Sequence, residues 1–88
     1  MKLILAVVRD RDNEPITQAL ITDGFRVTRI ASTGGFLRRG LSTLMIGVEE
    51  DKLDEAIQTI KKNLDPATEP GVSRLILFVL NILNYQQI

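Results

Sequence analysis

Residues 32–40 read STGGFLRRG, and the side chains in that string could hold a charged, ring-bearing molecule. Gly34 and Gly35 let the backbone reach positive φ and present N–H groups with no side chain in the way. Successive N–H groups in such a turn form a nest for an anion. Arg38 or Arg39, with Arg26 on the preceding segment, carry the planar fork that pairs with phosphate. Phe36 could stack on a nucleobase and Leu37 could cover its other side. Stacking of this kind is worth roughly 1–3 kcal/mol per base. Together these parts suit a ligand with a phosphate and a flat ring. The same string also fits a hairpin loop whose Phe36 and Leu37 pack on the domain or on a neighbour. It is not a P-loop, which needs Gly-Lys-Ser/Thr, nor a dinucleotide fingerprint, which needs a following helix.

The charge distribution points to the same stretch. The chain has 88 residues and a net charge of zero. Residues 24–48 hold Arg26, Arg29, Arg38 and Arg39 and no acid, whereas the rest holds 7 basic and 11 acidic residues. That asymmetry fits either ordinary variation of a solvated surface or a local anion site, and it fits both better than general nucleic-acid binding, which favours a basic domain. There is no Cys and no His. Thiolate metal sites, disulfides and the usual neutral-pH general base are therefore absent, which argues against metalloenzymes and triad hydrolases. No metal or cofactor is expected, and no catalytic residue is assigned.

The elements that must position this loop are legible from periodicity. Lys2 to Arg9 is apolar at nearly every position, as in a strand buried on both faces. Asp12 could cap a helix starting at Asn13 or Glu14, with Pro15 in its first turn and Ile16, Ala19 and Leu20 on one face. Gly24 suits the left-handed position that ends a helix. Phe25 to Ser32 reads as a second strand, with Arg26, Thr28, Ile30 and Ser32 on one face. Leu41 to Val48 reads as a third. Glu49, Glu50 and Asp51 precede the next helix and Lys61 and Lys62 close it, matching its dipole. Leu53, Ala56, Ile57, Ile60 and Leu64 form its apolar stripe. Asp65-Pro66 stops it. The final stretch, VSRLILFVLNILNYQQI, is apolar enough for a buried strand or a buried helix; Phe78, Val79 and Ile82, after Pro70 and Gly71, favour a strand.

The order βαββαβ implies an α+β, ferredoxin-like fold: an antiparallel sheet with both helices on one face, in a single domain over residues 1–88. This creates a conflict. Leu3, Leu5 and Val7 would lie on one face of the first strand and Ile4, Ala6 and Val8 on the other, yet the helices cover only one. A chain this short also buries just about 60–65% of its unfolded surface. Burial of the open face by other subunits resolves both points; the alternative is a last segment folded back across it. The N-terminus lacks a signal-peptide cleavage site, and Leu75 to Leu80 is far shorter than the roughly 20 residues of a membrane span. A soluble, cytoplasmic protein with no membrane partner is expected.

AVVRDRD, FRVTRIASTGGFLRRG and TLMIGVEEDKLDEAI resemble the PII-like cyclic-di-AMP receptor family of bacterial signalling proteins. The likeness covers residues 1 to about 62 and resumes in FVLNILNYQQI. The resemblance implies a homotrimer of ferredoxin-like subunits that binds cyclic-di-AMP in clefts between subunits, signals to a downstream protein and is not an enzyme. Carried over by position, it places Arg26 and Thr28 near the phosphate and base. Gly35, Phe36 and Leu37 would contact one adenine, with Arg38 in the same loop, and Gly47 would allow close approach of the ligand. Phe78 and Gln87 would complete the cleft against the adjacent subunit. Four departures stand out. Gly24 and Leu41 replace residues that are usually Asn in the family. The connection over residues 65–73 is shorter than the family's long loop, and GVSRL stands where the family has Gly-Gly-Ala. These departures support a second reading, an oligomeric assembly module of the same fold that has lost its nucleotide.

Overall fold

The computed structural model describes residues 1–30, 40–66 and 75–83. Its elements follow in the order β1 (Lys2–Arg9), α1 (Asp10–Thr22), β2 (Arg26–Ile30), β3 (Leu41–Val48), α2 (Leu53–Lys62) and β4 (Leu75–Asn81). The strands form one sheet in the order β2-β3-β1-β4, antiparallel at every pairing. This is the ferredoxin-like arrangement that the order βαββαβ implies.

The core lies between the sheet and the two helices. Ile4, Ala6 and Val8 of β1 meet Leu44, Ile46 and Val48 of β3, Ile16 and Leu20 of α1, and Ala56 and Ile60 of α2. Most of the apolar stripe of α2 is as expected: Ala56 and Ile60 are buried and Leu53 and Ile57 pack against the same cluster, joined by Leu64, which lies beyond the helix because α2 ends at Lys62, earlier than the stop expected at Asp65-Pro66. A single 3₁₀ turn, Glu50–Lys52, leads into this helix and carries two of the three acids placed at its start. In the final segment, strand wins over helix: Leu75–Asn81 pairs along β1 as an edge strand and does not cross the open face.

The start of α1 and the extent of β2 also differ from expectation. α1 begins at Asp10 rather than at Asn13 or Glu14, so Asp12 lies within the first turn and does not cap it. Its side chain is buried and bound to Arg9 Nε at 2.9 Å. Pro15 consequently sits in the second turn, where it has no N–H to give its i−4 partner, the Arg11 carbonyl. β2 is shorter than the expected span from Phe25. Phe25 gives its N–H to the Leu20 carbonyl (2.9 Å) while Gly24, at φ +91°, gives its own to Ile21 (3.0 Å). These paired bonds form a Schellman closure, which takes Phe25 out of the ladder and needs a glycine at the left-handed position. Ala31 and Ser32 lie outside the described residues.

Among the described residues, the other face of the sheet carries no helix. Leu3, Leu5 and Val7 remain half-buried, and Ile76, Phe78 and Leu80 on β4 are exposed. The register sets this face in rows. Arg26, Gly47, Leu3 and Leu80 form one; Thr28, Met45, Leu5 and Phe78 the next; Ile30, Thr43, Val7 and Ile76 the third.

Candidate functional site

Four of the sequence-predicted ligand residues fall within the described chain, and all four lie on the helix-free face. Arg26 and Gly47 are direct cross-strand partners. Thr28 is one row further on, opposite Met45. Phe78 shares the Thr28 row but lies at the opposite edge of the sheet, three strand spacings away, roughly 14 Å. It is 54% exposed, so the core-packing role open to an apolar strand residue is not the one it fills. Gly35, Phe36, Leu37, Arg38 and Gln87 lie outside the described residues. The connection carrying the first four leaves β2 after Ile30 and returns at Gly40, at the far end of β2 from Arg26.

A cleft of about 290 Å³ opens at the Arg26 end. Gly24, Phe25 and Arg26 line one side, and Gly47, Val48 and Glu49 line the other. The cleft is shaped by two local facts. The helix closure at Gly24 turns the chain sharply into β2, and Gly47 presents bare backbone beside Arg26. Among the described residues, a Cβ placed on Gly47 would meet only the Met1 side-chain terminus, at 3.8 Å. Packing within the subunit therefore does not require a glycine there. A Cβ at Gly24 would enter open space, although the positive φ strains most side chains at that position.

The electrostatics of the cleft are more acidic than the arginine-rich segment suggests. Asp23, Glu49 and Glu55 line it along with Arg26 and Lys52. Lys52 is paired with Glu55 at 3.5 Å, and Asp23 accepts a 2.7 Å hydrogen bond from the Thr59 hydroxyl. Arg26 is exposed and has no ion-pair or hydrogen-bond partner among the described residues. It is the cation at this end that is available to an incoming anion. Sequence reasoning missed the acids because it weighed residues 24–48 alone: Asp23 and Glu49 stand just outside that segment, and folding brings them, with Glu55 of α2, around Arg26. Among the described residues, no group of three or more Asp and Glu side chains is placed to hold a metal ion.

The family model for the cyclic-di-AMP receptor matches residues 1–73. The chain belongs to the cyclic-di-AMP receptor family. It is also similar to a crystallised protein of unknown function from Pediococcus pentosaceus ATCC 25745, with 30% sequence identity and a TM-score of 0.79, over 99% of this chain and 96% of that chain. Membership puts the chain among receptors, a binding and signalling family rather than one known for catalysis. The match includes Arg26, Thr28, Gly47 and the whole of residues 32–40, and ends before Phe78 and Gln87. No helix among the described residues is long and apolar enough to cross a membrane.

Proposed function

We propose that this chain is a non-enzymatic, homotrimeric signalling receptor that binds cyclic-di-AMP, or a related adenine nucleotide, in clefts between subunits. One observation carries the reading: a single subunit divides the ligand set. Arg26 and Gly47 lie at one end of the helix-free face, the 31–39 connection is rooted at the other, and Phe78 lies across the sheet. A cleft of about 290 Å³ is at the lower limit of small-molecule pockets, and two purines with two phosphates overfill it. Apposition of a second subunit supplies the missing walls and covers Leu3, Leu5 and Val7 in the same step.

In this reading Arg26 meets phosphate, Thr28 donates to phosphate or base, and bare backbone at Gly47 lets the ligand lie against the strand. Gly35, Phe36, Leu37 and Arg38 close over one adenine, and Phe78 and Gln87 come from the neighbouring subunit. The ligand acts by population shift, favouring the arrangement it binds more tightly and so changing the surface offered to a downstream protein. Isothermal titration of cyclic-di-AMP, cyclic-di-GMP, ATP and AMP tests this, with protein at about 100 μM so that Kd values up to that order register. The expected result is binding of cyclic-di-AMP at one molecule per subunit. Absence of heat with all four would overturn it. The acids around Arg26 and the glycine at position 24 favour, in that event, the assembly-module reading, in which Phe36→Ala changes association state.

A further inference from the structure

The RDRD motif at residues 9–12 belongs to no part of the ligand set, yet it gathers the roots of both long connections. At the first root, the Asp10 N–H donates to the Gly40 carbonyl at 2.8 Å, and the Ser42 hydroxyl donates to the Asp10 carboxylate. Gly40, at φ +89°, is where the chain returns from residues 31–39. At the second root, the Asp65 N–H donates to Asp12 Oδ1 at 2.9 Å, and the Arg9 guanidinium donates to the Asp65 carbonyl at 2.6 Å. Asp65 is where α2 has ended and the connection to β4 begins. Between the roots, Arg9 Nε and Asp12 Oδ2 form a buried ion pair at 2.9 Å. The far end of the second connection arrives at the same place, since Leu75 pairs with Val8.

We infer that the first turn of α1 is a coupling clamp that makes the two loop roots open and close as one unit. The physical basis is geometric. The junction of β1 with the first turn of α1 fixes Arg9, Asp10 and Asp12 relative to one another, so a shift that frees Gly40 and Ser42 moves the same backbone that carries the two side chains holding Asp65. Arg9 and Asp12 are almost wholly enclosed, and separating them would leave two charges in the protein interior, so partial loosening of one side is disfavoured. Units of this kind exchange their amide hydrogens together. Resting on the receptor reading proposed above, the clamp is the route by which a ligand seated on the 31–39 connection would change the other connection.

Amide exchange of the intact protein by NMR tests the clamp without any ligand, at the two N–H groups that define the roots, Asp10 and Asp65. Ser42→Ala removes one bond at the first root and leaves the buried pair alone. It is expected to lower protection at both amides by similar factors, at least about fivefold, with core amides of β1 and β3 unchanged. Loss at Asp10 with unchanged protection at Asp65 would overturn the inference. The converse variant, Asp12→Asn, should deprotect Asp10 as well as Asp65; where it does not fold, Ser42→Ala decides alone. With cyclic-di-AMP added, protection rises at both amides. A rise at one only overturns the coupling, whereas no binding at all sinks the receptor reading and leaves the ligand-free result to judge the clamp.

Discussion

Gly47 separates packing from function at the scale of one residue. A glycine within a strand is destabilising by roughly 0.5–1 kcal/mol relative to alanine, and this one is not required by its own subunit. A glycine at this position next to Arg26 makes sense if another molecule approaches the backbone there. Gly47→Ala is therefore expected to hold or raise the melting temperature while weakening nucleotide affinity by tenfold or more, about 1.4 kcal/mol, as read by calorimetry. A variant that binds normally would remove Gly47 from the ligand surface. Gly24 presents the opposite case: its positive φ is needed to close α1, so its conformation has a reason inside the subunit.

The helices show how element-level pattern becomes stability. α2 was legible from sequence because its stripe repeats at helical spacing and its ends carry charges that suit the dipole. Ile60 is wholly buried, whereas Ile57 lies at the margin of the core. Ile60→Ala should cost about 2–5 kcal/mol in urea unfolding, from lost burial and the cavity left behind, and Ile57→Ala distinctly less. Equal losses would mean that α2 docks in a different rotation. The start of α1 was misread for a definite reason. Asp12 has the right type and spacing for a cap, but capping depends on which carboxylate is free to turn back on its own helix. Here Arg9 and the Asp65 amide hold that carboxylate from outside the helix.

At the scale of the molecule, the decisive feature is a sheet with helices on one side and apolar residues on both. Ile4, Ala6 and Val8 are sealed, while Leu3, Leu5, Val7, Ile76, Phe78 and Leu80 face outward together with Met45. Soluble monomers rarely leave so large an apolar surface in water. Sedimentation of the native protein at micromolar concentration is expected to give a trimer. Leu5→Asp, which places a charge at the middle of that face, should shift it toward monomer and abolish nucleotide binding in the same step. A native protein that sediments as a stable monomer would contradict the trimer, and Leu5→Asp protein that dissociates yet binds normally would contradict the shared cleft.

By itself the sequence determined the class of fold and the apolar faces of its elements, because these depend on local order: hydrophobic period, glycine placement and residue chemistry. Which face of β1 became the core was left to the fold, and Thr28, Gly47, Phe78 and Gln87 were named through the family resemblance. The sequence also carried the likeness to the receptor family in FRVTRIASTGGFLRRG. Only the tertiary structure decided that Arg26 and Gly47 are cross-strand partners while Phe78 lies at the opposite edge, that Asp23, Glu49 and Glu55 meet around Arg26, and that RDRD is hydrogen-bonded to both Gly40 and Asp65. Those facts follow from strand order and register. They are set by which apolar faces meet when the chain closes, and no stretch of adjacent residues encodes them.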